Sequence, residues 1–362
     1  MMSRTPLKTL TAAILAASAF SVQAAEYEWT FQTSETAGEP QFEMKKQWAE
    51  NVEKMSDGRI SIEILPVGAV VQANQTLQAV KSGILQGHLT DPSYFTGQNP
   101  AFGMIGNLVG AWSDPYNFLD YMNNGGGEEI YNKLSESYGV HLIGAAATGL
   151  ESLPSSKPIR SVEDMKGLKL RTPEGMVSNV FDKAGATPVN LPGSEVYTSL
   201  EKGVIDAADY TVFATNQSQG LHEFANYPLY PGFHSLPMVA VSINNEIWNS
   251  LPSDLKAILS TSVDAMAYKM VGQLKTRDLK AVREARQDPN INIIDLPAEE
   301  RAKFRSIAKQ EWQNWADKNK TTQEFYDSVV SYLENHNLLK AEDGSSNSNS
   351  SDDKQASTDS QS

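Results

Sequence analysis

The chain has 362 residues, with 44 acidic against 30 lysine and arginine side chains and no cysteine. A formal charge of −14 argues against nucleic acid or an anionic lipid surface as partner. The missing cysteines exclude thiol catalysis, disulfide exchange and cysteine-ligated metal.

In chain order, Arg4 and Lys8 precede an apolar run from Leu10 to Val22 that ends in small residues. This is the pattern of a signal peptide spanning residues 1–25, with cleavage after Ala24 or Ala25 and export to the periplasm. Its removal takes the charge from −14 to −16. Roughly 315 residues follow, more than one core fills comfortably, so two lobes are expected. Tyr27 to Gln32 alternates as a strand, Gln41 to Met55 carries helical spacing, and Asp57-Gly58 turns into a second alternating strand at Ile60–Leu65. A βαβ unit of this kind predicts a parallel sheet.

The same grammar recurs downstream. A strand is predicted at 141–147, a capped turn at Ser161-Val162-Glu163-Asp164, and a strand at Leu168–Arg171. A helix follows over 176–184, a strand over 187–190, a helix over 194–202 that Gly203 stops, and a strand over 205–210. A long helix is expected over 253–286 and two more over 298–319 and 322–335, while the Ser, Asn, Asp and Gly composition of 342–362 predicts a disordered tail. Gly125-Gly126-Gly127 lacks the lysine of a phosphate loop and reads as a turn. His88, His141, His222, His234 and His336 show no H-E-x-x-H spacing, which points away from a histidine metal site. His234 beside Ser235 invites a secreted-hydrolase reading, but there is no G-x-S-x-G elbow.

Three blocks carry a resemblance. Gly193 to Ala207 reads E-x-Y-x-x-L-x-x-G-x-I-D-A from Glu195 onward, Gly167 to Arg171 reads G-x-K-x-R, and Ala79 to Gly83 reads A-V-x-x-G. In this the chain resembles the DctP-type solute-binding proteins of tripartite ATP-independent periplasmic (TRAP) transporters. The resemblance implies an α/β fold of two lobes, each with a mixed, mostly parallel sheet, joined by crossing hinge strands and a long interlobe helix. The lobes would comprise residues 26–149 plus about 237–275, and 150–236 plus about 276–341. It also implies a binding protein rather than an enzyme, with the TRAP membrane permease as partner and self-association through the C-terminal helices as an option.

Tyr227 to His234 is similar to the aromatic Y-Y-Y-Y-P-G-W stretch of the branch that binds 2-oxo and 2-hydroxy monocarboxylates with a metal ion. In that branch an amide, an acid-aromatic pair and a glutamate hold the cation; the matching positions here are Glu151, Asp209 with Tyr210, and Ser235. An acid thus replaces the amide and a hydroxyl replaces the acid. Oxygen-only donors would favour Ca²⁺ or Na⁺. Arg171, ending a strand, suits the two-pronged grip of a carboxylate; Tyr94, Tyr210 and Phe233 are candidate cleft walls and Asn216 a candidate amide contact. The expected solute is a small organic anion; a zwitterion such as a betaine, an amino acid or an ectoine-like compound is the alternative, balancing Glu151 and Asp209 with its own positive group.

Overall fold

The computed structural model describes residues 25–339. The leader expected at the N-terminus and the tail expected beyond residue 341 lie outside the described residues. Among those described, no helix is long and apolar enough to cross a membrane.

The first lobe is built on a five-stranded sheet. Strand β1 (Tyr27–Thr33) pairs in parallel with β2 (Ile60–Leu65), Tyr27 facing Ile60, through the crossover helix Pro40–Met55. That helix buries Phe42, Trp48 and Val52, and its Trp48 indole donates to Ser262 Oγ at 2.8 Å. The hydrogen bond ties it to the helix Ser253–Ala285. On the other side of β1 lie β3 (Gly87–Thr90), parallel to it, and then two further strands. These are β4 (Val140–Ala147) at the edge and β8 (Met238–Asn244) between β3 and β4, antiparallel to both. All seven residues of β8 are buried.

The second lobe has a smaller, wholly parallel sheet, with β5 (Lys169–Thr172) between β6 (Thr187–Asn190) and β7 (Ala207–Ala208). The sequence predicts a longer β7, over 205–210. Asp209 N still donates to Arg171 O of β5, but Ala208 N donates to Pro154 O and Thr211 O accepts from Ser152 N, so by Thr211 the backbone pairs with the segment crossing from β4. The capped turn is present, with Ser161 Oγ accepting from Asp164 N at 3.3 Å.

The 33-residue helix Ser253–Ala285 spans both lobes. Its Leu259, Val263 and Ala267 join the core around the first sheet, and its Ala281, Val282 and Ala285 pack on Phe213 beyond β7. Chain crossings at 148–155 and 226–236 pass the site in the same region, with Leu229 N donating to Leu153 O at 3.0 Å. This is the expected two-lobed α/β architecture.

Candidate functional site

Four segments meet where the lobes touch. Glu151 follows β4, Arg171 lies in β5, Asp209 follows β7, and His234 with Ser235 precedes β8. Backbone hydrogen bonds fix the meeting: Asp209 N donates to Arg171 O at 2.9 Å, and Glu151 N donates to Ser235 O at 2.9 Å. Two glycines allow the close approach. A Cβ on Gly232 would stand 2.4 Å from Glu151 O, and one on Gly193 would stand 3.0 Å from the Tyr210 ring.

Arg171 is 3% exposed. Its Nε donates to Leu191 O at 2.9 Å and its Nη1 to Asp209 O at 2.6 Å. Nη2 is buried and has no hydrogen-bond partner among the described residues. A buried cationic donor left unpaired is costly, so this nitrogen is a point where a ligand acceptor would be gained at full value. The Tyr94 hydroxyl lies close to the same guanidinium, and the Tyr210 ring centroid is 5.9 Å from it.

Glu151, Asp209, His234 and Ser235 are all buried. Glu151 Oε2, Asp209 Oδ1, both His234 ring nitrogens and Ser235 Oγ make no hydrogen bond. His234 Nε2 lies 2.9 Å from Asp209 Oδ1, an ion-pair distance when the ring is protonated. Burial and the adjoining Asp209 carboxylate push Glu151 well above its ordinary pKa. Burial also works against ionised Asp209, but the His234 ring and Arg171 beside it hold this carboxyl below its ordinary range. Orphaned carboxylate oxygens this deep call for a positive partner, and as donors they fit a cation.

The sequence spacing gave no sign of a histidine here, yet His234 stands with Glu151 and Asp209, their donor atoms all within 4.8 Å of one another. No H-E-x-x-H search can find this group, because each member comes from a different segment. The Ser235 hydroxyl makes no bond to His234, so the pair lacks the geometry of a nucleophile and its base.

A cavity of about 80 Å³ adjoins the group, lined by Glu39, Asp91, Thr148, Glu151, Gly193 and Tyr210 among others. Ser34, Tyr94 and Gly193 also line a cavity of about 290 Å³ toward Pro173 and Asn190. Tyr94 and Tyr210 are thus cavity walls. Phe233 instead packs edge-on against Phe304, with centroids 5.2 Å apart, and against the His234 ring. Asn216 commits its amide nitrogen to Ser152 O and Thr211 O, at 3.2 and 3.0 Å. Residues that the sequence reading passed over include Gln41, whose Nε2 donates to Thr211 Oγ1 while its Oε1 accepts from Thr215 Oγ1, both at 3.0 Å. This side chain clasps the first lobe to the second. Lys45, fully buried, pairs with the cavity residue Glu35 at 2.5 Å.

Residues 31–319 match DctP, the bacterial extracellular solute-binding protein family 7. The chain belongs to the DctP family. It is 28% identical over 281 residues, 72% of this chain and 77% of its relative, to the monocarboxylate 2-oxoacid-binding periplasmic protein of Nostoc sp.. Its fold is also that of a TRAP periplasmic solute-binding protein from Rhodobacter sphaeroides solved as an apo open structure. That protein is 47% identical with a TM-score of 0.72, covering 86% of this chain and 99% of the other. A counterpart from Pseudoalteromonas atlantica with bound sodium and pyruvate is 27% identical, yet its TM-score is 0.78, over 87% of this chain and 96% of the other.

Proposed function

We propose that this protein is the periplasmic solute-binding subunit of a TRAP transporter. It holds a small 2-oxo or 2-hydroxy monocarboxylate between its lobes and delivers it to the membrane permease. The observation that carries this reading is the unpaired, buried Nη2 of Arg171 beside a small interlobe cavity. A cavity of about 80 Å³ beside the acidic group offers room for a small solute. Arg171 binds the carboxylate, Tyr94 and Tyr210 enclose it, and Glu151 with Asp209 hold a cation against its oxo or hydroxyl oxygen.

Release and uptake follow from the two-lobed fold. Ligand touching both lobes stabilises the closed arrangement, which Gln41 also fastens through Thr211 and Thr215, and opening frees the solute. We place the lobe division at 26–149 plus about 237–275 against 150–236 plus about 276–341, supported by the membership of β8 in the first sheet.

A zwitterionic solute is the second reading, favoured by the acidic cavity wall of Glu35, Glu39, Asp91 and Glu151. Calorimetric titration with pyruvate, lactate, glycine betaine and ectoine separates the two. Saturable one-site binding of the acids supports the proposal; binding of betaine or ectoine alone transfers the assignment.

A further inference from the structure

The cation partners that carry over by resemblance are oxygen donors suited to sodium or calcium. The structure holds a different set: Glu151, Asp209 and His234, with donor atoms all within 4.8 Å of one another. We propose that these three side chains form a site selective for a borderline divalent transition metal of the zinc type over sodium and calcium. The claim about the ion stands on these residues; only the statement that the ion bridges to a carboxylate solute rests on the function proposed above.

Three observations carry it. First, every donor is buried, and Glu151 Oε2, Asp209 Oδ1 and both His234 ring nitrogens make no hydrogen bond to any described residue outside the group. Secondly, Nε2 and Oδ1 lie 2.9 Å apart, an ion-pair distance for a protonated ring, so the imidazole and the carboxylate already meet at one point that a metal ion could take in place of the proton. Separations up to 4.8 Å need only small side-chain adjustments to share an ion at about 2.0–2.2 Å. Thirdly, the donor chemistry discriminates. Calcium takes about 6–8 ligands that are all oxygens and gains nothing from the imidazole, whereas imidazole is a ligand of zinc, copper, iron and nickel.

The charges agree with a divalent ion. The two carboxylates of the group match its charge and neutral imidazole adds none; Asp91 and Glu39 on the same cavity wall make the surroundings more negative still, which a divalent ion offsets better than a monovalent one.

The test uses the mature protein, stripped with chelator and dialysed, with no solute added. Titration with Co²⁺ should load one ion per chain and develop visible d–d bands, which Zn²⁺ should then abolish by displacement. Ca²⁺ and Na⁺ at matched ionic strength should bind at least tenfold more weakly and raise Tm less. His234→Gln should lose the bands and at least tenfold in Co²⁺ affinity, and Glu151→Gln should weaken uptake in the same direction. Should His234→Gln misfold, proton NMR of the Co²⁺-loaded natural chain answers instead, since a ligating imidazole gives a strongly shifted, exchangeable N–H resonance. No Co²⁺ uptake, loading that is indifferent to His234→Gln, or Ca²⁺ or Na⁺ binding as tight as Zn²⁺ would overturn the proposal. A pyruvate titration with each ion forms a separate arm. Failure of pyruvate to bind under every condition sinks the solute assignment while leaving metal uptake standing.

Discussion

Arg171→Lys is the substitution whose effects the structure predicts most fully. The guanidinium performs three tasks from one buried position: it satisfies Leu191 O, satisfies Asp209 O, and presents Nη2 to the cavity side. A lysine ammonium is a single nitrogen on a flexible stem and cannot reach all three. If it stays with the solute, two carbonyls lose their donor; each buried unpaired carbonyl costs about 1–3 kcal/mol. If it stays with the carbonyls, the solute loses a charge-assisted bond of about 1.5–3 kcal/mol, which is roughly 10- to 150-fold in Kd. If Arg171 made only the ligand contact, the apo fold would be unchanged by this substitution. The structure adds the two carbonyls, so the apo protein should also lose a few degrees of Tm while remaining folded by circular dichroism. Calorimetry with the bound acid and a thermal scan of the apo form measure both effects. A Kd within twofold of the natural protein together with an unchanged Tm would refute this account of Arg171.

Gln41→Ala should weaken the clasp between lobes, costing about 1–3 kcal/mol in stability and raising solute Kd, as read by denaturant titration and calorimetry. An unchanged m-value, Cm and Kd would show that Thr211 and Thr215 find other partners. Acid should destabilise the protein before the carboxylates titrate. Burial pushes His88 down to about 3 and His222 to about 4, so the folded state binds fewer protons than the unfolded one. Their stabilisation is complete above about pH 6.5 and is lost as pH falls toward those values, about 2 kcal/mol for each histidine by pH 5. His222→Gln should flatten the slope of stability between pH 7 and 5, and an unaltered slope would contradict this. Solute at a hundred times its Kd should stabilise the folded form by about 2.7 kcal/mol, seen as a rise in Tm that Arg171→Lys shrinks at equal solute concentration.

Much of this fold was legible because its strands and helices announce themselves locally. The β1-helix-β2 unit was readable from alternation at 27–32 and 60–65, a helical stripe between them, and Asp57-Gly58, where Asp57 does adopt a positive φ of 55°. The long helix at 253–285 was readable because 33 residues of uninterrupted periodicity leave little alternative. Strand β8 was not legible: with all seven residues buried it shows no alternation, and Met-Val-Ala-Val carries no period that separates strand from helix. The short helices Pro100–Gly106 and Pro115–Asn124 were likewise passed over, although Asn99 and Asp114 cap them by accepting from Ala101 N and Tyr116 N. At the site, Arg171, Glu151 and Asp209 could be located because each follows or ends a recognisable strand within a recognisable block. His234 could not, since its partners lie 83 and 25 positions away and only the crossing of 148–155 with 226–236 brings them together.

The central claim is reversible capture of a small monocarboxylate without chemistry, and one experiment addresses it directly. The purified mature protein, supplied with its cation, is titrated calorimetrically with pyruvate, and the solute recovered after denaturation is examined by NMR. The account predicts a saturable isotherm at one solute per chain and pyruvate recovered unchanged. No binding heat with any 2-oxo or 2-hydroxy acid, or recovery of a chemically altered solute, would contradict it.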